Sequence, residues 1–287
     1  MSGFDLVCDV ACEVGESPVW LRESAELLFI DVKGRRLHRF DPGRGTLTSL
    51  AVEEDIGYAA PTRSGAYVAA LRSGVWLLDE TGRKRRCLAN NPGDPATSRF
   101  NDGAIDPHGR LVIGTIDETK RQGSAGFYQL GRRGLVELAA GIMTSNGAAF
   151  APDGRTLYHS DTPRFVIYCS DYDPATGESR NERVFARLTP TEHDRGRPDG
   201  AAVDATGCYW SALYEGGRVQ RYAPDGRLLA EYPLPVLCPT MPAFGGVDLK
   251  TLYVTSARRD GSGGGLYALA VDTPGISATA FDEETLA

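Results

Sequence analysis

Several signatures are missing from this chain of 287 residues, and each absence removes a class of function. No Gly-x-Ser-x-Gly elbow occurs. Gly15-Glu-Ser-Pro-Val comes nearest and lacks the final glycine, which argues against a serine nucleophile set on a strand-to-helix turn. Gly261-Ser-Gly-Gly-Gly-Leu266 does not match a dinucleotide fingerprint and opens no helix. The six cysteines, Cys8, Cys12, Cys87, Cys169, Cys208 and Cys238, form no Cys-x-x-Cys pair, so they are expected to be reduced and mostly buried. The four histidines, His38, His108, His159 and His193, are scattered without metal-ligand spacing; His193, in a polar loop shortly before Asp199, is the one placed to border a pocket. There is no basic tract, and the net charge of −7 is spread along the chain, so neither nucleic acid nor an anionic membrane is expected as a partner. No apolar run is long enough to span a bilayer, and the opening MSGFDLVCDVACEVGE lacks the basic and apolar regions of a signal peptide, so a cytoplasmic protein is expected. Sustained 3.6-residue periodicity is also absent.

What is present is glycine, at 34 residues, proline, at 17, and a repeat. Short β-rich runs recur as LLFIDV from Leu27, AYVAAL from Ala66, RLVIGT from Arg110, TLYHSDT from Thr156, CYWSAL from Cys208 and TLYVTSA from Thr251. Their spacing of roughly 40 to 50 residues is the period of a propeller blade. A second strand-like run follows each, as in LHRFDP and RVQRYAPDG, and most end in turn residues. The pattern predicts an all-β fold, a six-bladed β-propeller occupying residues 1–287 as a single domain. A β-sandwich or a β-helix is the alternative.

Pro-Asp-Gly occurs at Pro152–Gly154, Pro198–Gly200 and Pro224–Gly226. Two copies lead into an arginine and apolar residues, as a hairpin corner does. After Asp199, Ala-Ala-Val intervenes before a separate turn at Asp204–Gly207, so Asp199 is not a hairpin corner. Counting back about ten residues from each run gives Glu16, Asn101, Asn146 and Asp199 at one phase, with Tyr58 and Met241 in the remaining blades. Equivalent positions of a closed ring converge on its axis. Taken singly, each of these segments reads as an ordinary turn; the signal lies in the shared phase. Two carboxylates and two carboxamides form a hard-oxygen set suited to Ca²⁺, Mg²⁺ or Mn²⁺, and less distinctively to Zn²⁺ or Fe²⁺.

The stretches GESPVW, RFNDGAIDPHGRLVIGT, NGAAFAPDGRTLYHSDT, RPDGAAVDATGCYWSAL and DLKTLYVTSAR resemble the gluconolactonase family that includes regucalcin, and they cover most of the chain in the family's order. The resemblance implies a six-bladed propeller that hydrolyses a small sugar lactone with one divalent cation. It implies a metal held by Glu16, Asn146 and Asp199, and substrate contacts from Arg99 and Asn101, with Asn101 near the metal through water. Some members carry a substrate-binding acid shortly after the Gly-Thr of the third blade. Thr119 aligns with it here, and Glu118, just before it, is the candidate named instead.

In such a site the cation polarises the lactone carbonyl, lowers the pKa of a coordinated water, or both. Asp199 is the expected proton acceptor, and Arg99 the expected donor to the sugar's oxygens. Two rival readings stay open: a non-enzymatic calcium-binding regulatory protein, and a metal-dependent esterase or phosphotriesterase on the same scaffold.

Overall fold

The computed structural model describes residues 3–120 and 123–286. Among them, twenty-four strands form six four-stranded antiparallel sheets. Their inner strands are Gly15–Leu21, Ile56–Pro61, Ser98–Ile105, Ser145–Phe150, Arg197–Val203 and Pro239–Gly245, which define blades 1 to 6. Each inner strand touches those of both neighbouring blades, so the sheets close into a ring. The fold is the expected six-bladed β-propeller. The recurring apolar runs, LLFIDV, TLYHSDT and TLYVTSA among them, are the second strands, buried between an inner strand and a third strand.

Burial falls outward along each blade. Pro239–Gly245 is buried at every residue, whereas the outermost strands Thr46–Ala51 and Leu228–Pro233 contain no buried residue. The apolar side chains form six clusters, one between each adjacent pair of blades. Leu28, Ile30 and Leu37 of blade 1 meet Ala59, Tyr67 and Leu78 of blade 2, and Trp210 and Val219 of blade 5 meet Phe244 and Leu252 of blade 6. A wedge-shaped core of this kind leaves the axis free of apolar filling at one end. The cysteines are all free; four are buried, Cys8 is half-buried, and Cys87 is exposed, an exception to the expected burial.

Side-chain caps set the corners. Asp106 accepts from the backbone N–H groups of His108 and Arg110 at 2.8 Å each, and Asp204 does the same for Thr206 and Cys208. Two of the Pro-Asp-Gly copies are turns, with Gly154 and Gly226 left-handed at φ 68° and 87°. The third lies inside the strand Arg197–Val203.

The two ends of the chain lock the ring. Asp5–Cys8 pairs with Leu266–Ala270 and supplies the outermost strand of blade 6. The C-terminal segment crosses the opposite face from the inner-strand starts. Ala205 N–H donates to Pro274 O, Asp282 N–H to Gly109 O, and Phe281 N–H to Pro61 O. Phe281 is fully buried against Tyr58, Phe100 and Leu111. Through Ile276 to Thr279, this segment lines a largely apolar cavity of about 260 Å³ in the far half of the channel, together with Val19, Ala60, Ala149 and Met241 among others.

Because its anchor is complete burial, Phe281→Ala should lower the unfolding free energy by about 3–5 kcal/mol, read as a shift of the urea midpoint. We propose that the whole chain is one cooperative domain, since blade 6 needs both ends. Limited proteolysis should then release no stable half-length fragment, and such a fragment would contradict it.

Candidate functional site

Every inner strand carries a β-bulge at its channel end, where it gains one residue over its partner. The register slips between Glu16 and Val19, Ile56 and Tyr58, Phe100 and Gly103, Asn146 and Ala149, Pro198 and Ala201, and Pro239 and Pro242. A bulge turns side chains out of the alternating pleat. Here it swings them toward the axis. The single phase expected from sequence resolves into two adjacent positions: Glu16 and Asn146 are the last paired residues before the bulge, while Asn101 and Asp199 are the first residues within it.

The residue after each of the first two is left-handed, Ser17 at φ 51° and Gly147 at φ 63°. For Ser17 this costs on the order of 1–2 kcal/mol. The conformation is held by the Ser17 hydroxyl, which donates to Ala59 O at 3.1 Å and accepts from Ala59 N–H at 3.2 Å. Gly147 admits no side chain, because a Cβ would meet the Tyr209 hydroxyl at 2.3 Å.

Four of the expected residues form one directional chain. Arg99 Nη1 donates to Asn101 Oδ1 at 2.8 Å, Asn101 Nδ2 to Asn146 Oδ1 at 2.6 Å, and Asn146 Nδ2 to Asp199 Oδ1 at 2.6 Å. Thr162 braces it, accepting from Asn146 Nδ2 at 2.7 Å and donating to Pro198 O at 2.8 Å. Glu16 enters from blade 1. Its one hydrogen bond is from Ser17 N–H at 3.0 Å, and it couples to Asp199 through space. Glu118 stands one contact away, 3.4 Å from Arg99 Nε and bound by both Nη atoms of Arg72 at 2.7 and 3.1 Å. Thr119 instead turns back on Asp117.

Sequence reasoning missed Asp102, hidden in an Asn-Asp-Gly read as a turn. It is 3% exposed and accepts from Gly103 N–H at 2.7 Å and Ala148 N–H at 3.0 Å, thereby tying the bulge of blade 3 to that of blade 4. Arg197 was missed as well. Its signal was available, since Arg-x-Asn at Arg99 and Arg-x-Asp at Arg197 repeat the same spacing.

Electrostatically the site is unbalanced. Burial raises Glu16 and Asp199 well above the ordinary carboxylate range, and neighbouring carboxylates raise them further. Burial takes Asp102 up to about 7 against the lowering effect of its backbone donors. Among the described residues, no lysine or arginine lies within salt-bridge distance of any of the three. A divalent cation fits this set: it supplies the missing counter-charge, and two carboxylates with a carboxamide are the oxygen donors it takes. A carboxamide can offer either end by a half-turn of its terminal torsion. No trio of His, Cys, Asp and Glu gathers as a metal site among the described residues; a cation between Glu16 and Asp199 would need a further oxygen donor, such as the Asn146 carboxamide.

Residues 14–258 match the family described as the SMP-30/Gluconolactonase/LRE-like region, and the chain belongs to that family. It is 41% identical over 280 residues to a 6-deoxy-6-sulfogluconolactonase of Pseudomonas putida, covering 93% of this chain and 94% of that protein. It is 34% identical over 260 residues to a pentonolactonase of Haloferax volcanii, covering 90% and 86%. The solved structure of a calcium-binding protein, regucalcin, from Agrobacterium tumefaciens superposes with a TM-score of 0.90 at 28% identity, covering 98% and 97%.

The buried carboxyls set a sign for pH dependence. Asp102 ionises at about 4 when unfolded and at about 7 when folded, so its contribution to stability is fully present below about pH 4 and is lost as pH rises through 7. Glu16 and Asp199 shift in the same direction. In chelator, the thermal midpoint should fall between about pH 4 and 7, and the increment from added divalent cation should grow with pH. A midpoint flat across that window, with or without metal, would show that another group balances the charge.

Proposed function

We propose that this protein hydrolyses a sugar lactone at the channel mouth, with one divalent cation held by Glu16, Asn146 and Asp199. The observation that carries the reading is the convergence of buried carboxylates lacking a basic partner with a polar chain that begins at Arg99. Family membership and the lactonase names of its relatives support it.

A cation bound there would supply Lewis acidity toward the lactone carbonyl oxygen. The remaining roles fall to residues of the chain. Arg99 is pinned through Nη1 to Phe100 O at 2.9 Å and to Asn101, while its buried Nε makes no hydrogen bond and stands 3.4 Å from Glu118 Oε1. That donor suits the lactone ring oxygen or a sugar hydroxyl. Asn101 fixes the orientation of both Arg99 and Asn146.

Asp199 has two carboxylate oxygens; one would hold the cation with Glu16 and Asn146, and the other is the acceptor for a water proton. As that proton moves to Asp199, the water oxygen adds to the carbonyl carbon. The ring C–O bond then breaks, and the proton passes to the departing alkoxide oxygen. One water is consumed, and the lactone becomes a hydroxy acid, which ionises and releases acid to solution. Glu118, paired with Arg72 and Arg99, shapes the rim from which the sugar hydroxyls are approached.

Acid release from a panel of aldonolactones at neutral pH, abolished by chelator and restored by a divalent metal, is the expected result. Metal binding without turnover would favour a cation-binding protein, and faster hydrolysis of phenyl acetate or paraoxon would favour an esterase. Asp199→Ala should lower kcat/KM on the order of 10²–10⁴-fold, and Glu16→Gln should abolish activity at limiting metal. Full activity in either variant would overturn the assignment. Arg99→Ala should raise KM by about 10–100-fold, the worth of a charged hydrogen bond, with metal affinity retained; an equal loss of metal affinity would place Arg99 wrongly.

A further inference from the structure

Arg197 sits in blade 5 where Arg99 sits in blade 3. Arg99 pairs with Ile116 and Arg197 with Tyr214, each one residue before the last pair that precedes the bulge. Each therefore stands two residues before a bulge residue of the site, Asn101 or Asp199. Each has a buried Nε with no hydrogen-bond partner. Two residues of strand span about 7 Å, a distance comparable with the reach of a six-carbon sugar acid from its lactone carbonyl to its far end.

We propose that Arg197, together with Arg259 and Arg195, forms a subsite for an anionic group, a sulfonate, phosphate or carboxylate, carried by the lactone at the carbon farthest from its carbonyl; this rests on the lactonase reading above. An open cavity of about 460 Å³ is lined by Glu192, His193, Arg195, Arg197, Glu215, Leu237 and Arg259, and Asp199 follows Arg197 by two residues in the same strand. Arg197 stacks over Tyr214 at 5.2 Å, which holds its guanidinium plane in place.

Charge decides between a structural ion pair and a recognition site. A structural pair matches one carboxylate to each arginine. Here Glu215 is shared: Arg197 Nη2 lies 2.5 Å from its Oε2, and Arg259 contacts its Oε1. The other carboxylate near Arg259, that of Asp260, is 3.8 Å away and almost fully exposed. With Glu192 and Asp260 counted, three arginines meet three carboxylates, but Glu215 is the one carboxylate in close contact and two of the arginines share it. Planar guanidinium forks bind tetrahedral or planar oxyanions through paired N–H donors, and two arginines sharing one acid keep donors to spare. Asp199 and Arg197 share one strand two residues apart, so an anion docked on Arg197 lies on the same side of the mouth as the reacting end.

The test compares gluconolactone with its 6-phospho and 6-deoxy-6-sulfo counterparts and with glucarolactone, in the parent protein and in R259A and R197M. The expected parent preference for at least one charged lactone is about tenfold or more in kcat/KM, falling with added salt. In R259A that ratio should drop by about tenfold, mainly through KM. A parent ratio near one, or a ratio unmoved in both variants, would overturn the subsite. Calorimetric titration with 6-phosphogluconate and gluconate separates this proposal from the reading beneath it. If no lactone is hydrolysed but the charged acid binds about tenfold more tightly and loses that margin in R259A, the anion subsite stands and the lactonase reading falls. Equal binding of the two acids would remove the subsite. Arg259 is 43% exposed, so R259A is expected to fold even if R197M, which removes a stacked residue, does not.

Discussion

The constraint around which the channel mouth is built is the burial of three carboxylates, Glu16, Asp102 and Asp199, in one place with no basic partner in contact among the described residues. An ionised carboxylate away from water is costly unless hydrogen bonds or an opposite charge offset it. The surroundings supply part of the offset. Asp102 takes backbone N–H donors from two blades, Asp199 takes a carboxamide, and Glu16 takes the amide of a strained neighbour. None of these donors carries a full charge, and the raised carboxyl groups record the shortfall. A protein that keeps such an arrangement needs a reason, and the proposed cation provides one.

The bulges are what make the arrangement possible. A regular strand alternates its side chains between two faces, and in a propeller both faces of an inner strand abut other blades. One extra residue at the channel end breaks that alternation and turns a side chain to the axis. Left-handed Ser17 and Gly147 sustain the distortion, the first through its hydroxyl and the second through its lack of a Cβ. The opposite end of the channel is lined by apolar side chains and crossed by the C-terminal segment.

Charge is distributed unevenly around that mouth. Lys33, Arg35 and Arg72 gather on Asp55, and Arg72 and Arg99 on Glu118, while Arg197 and Arg259 divide Glu215. Several of these carboxylates are shared by two or three cations, in an acidic protein whose channel buries carboxylates. A negative ligand is thus attracted at the edge and needs a counter-ion at the bottom, which fits a divalent metal below and an oxygen-rich or anionic substrate above.

The sequence by itself determined the ring: the recurrence of runs such as TLYHSDT and TLYVTSA states the blade count, and Asp199 stands apart because its Pro-Asp-Gly is no hairpin corner, unlike those of Asp153 and Asp225. Periodicity and turn chemistry are local properties, legible in a few consecutive residues. Only the tertiary structure decided that Asp102 leaves its Asn-Asp-Gly turn to bridge two blades, that the shared phase is two adjacent positions, and that Glu118 and not Thr119 reaches Arg99. Those outcomes turn on a one-residue bulge and on contacts between chain segments tens of residues apart, and a shift of one residue sends a side chain to the opposite face of a strand, which no local pattern of residue types encodes.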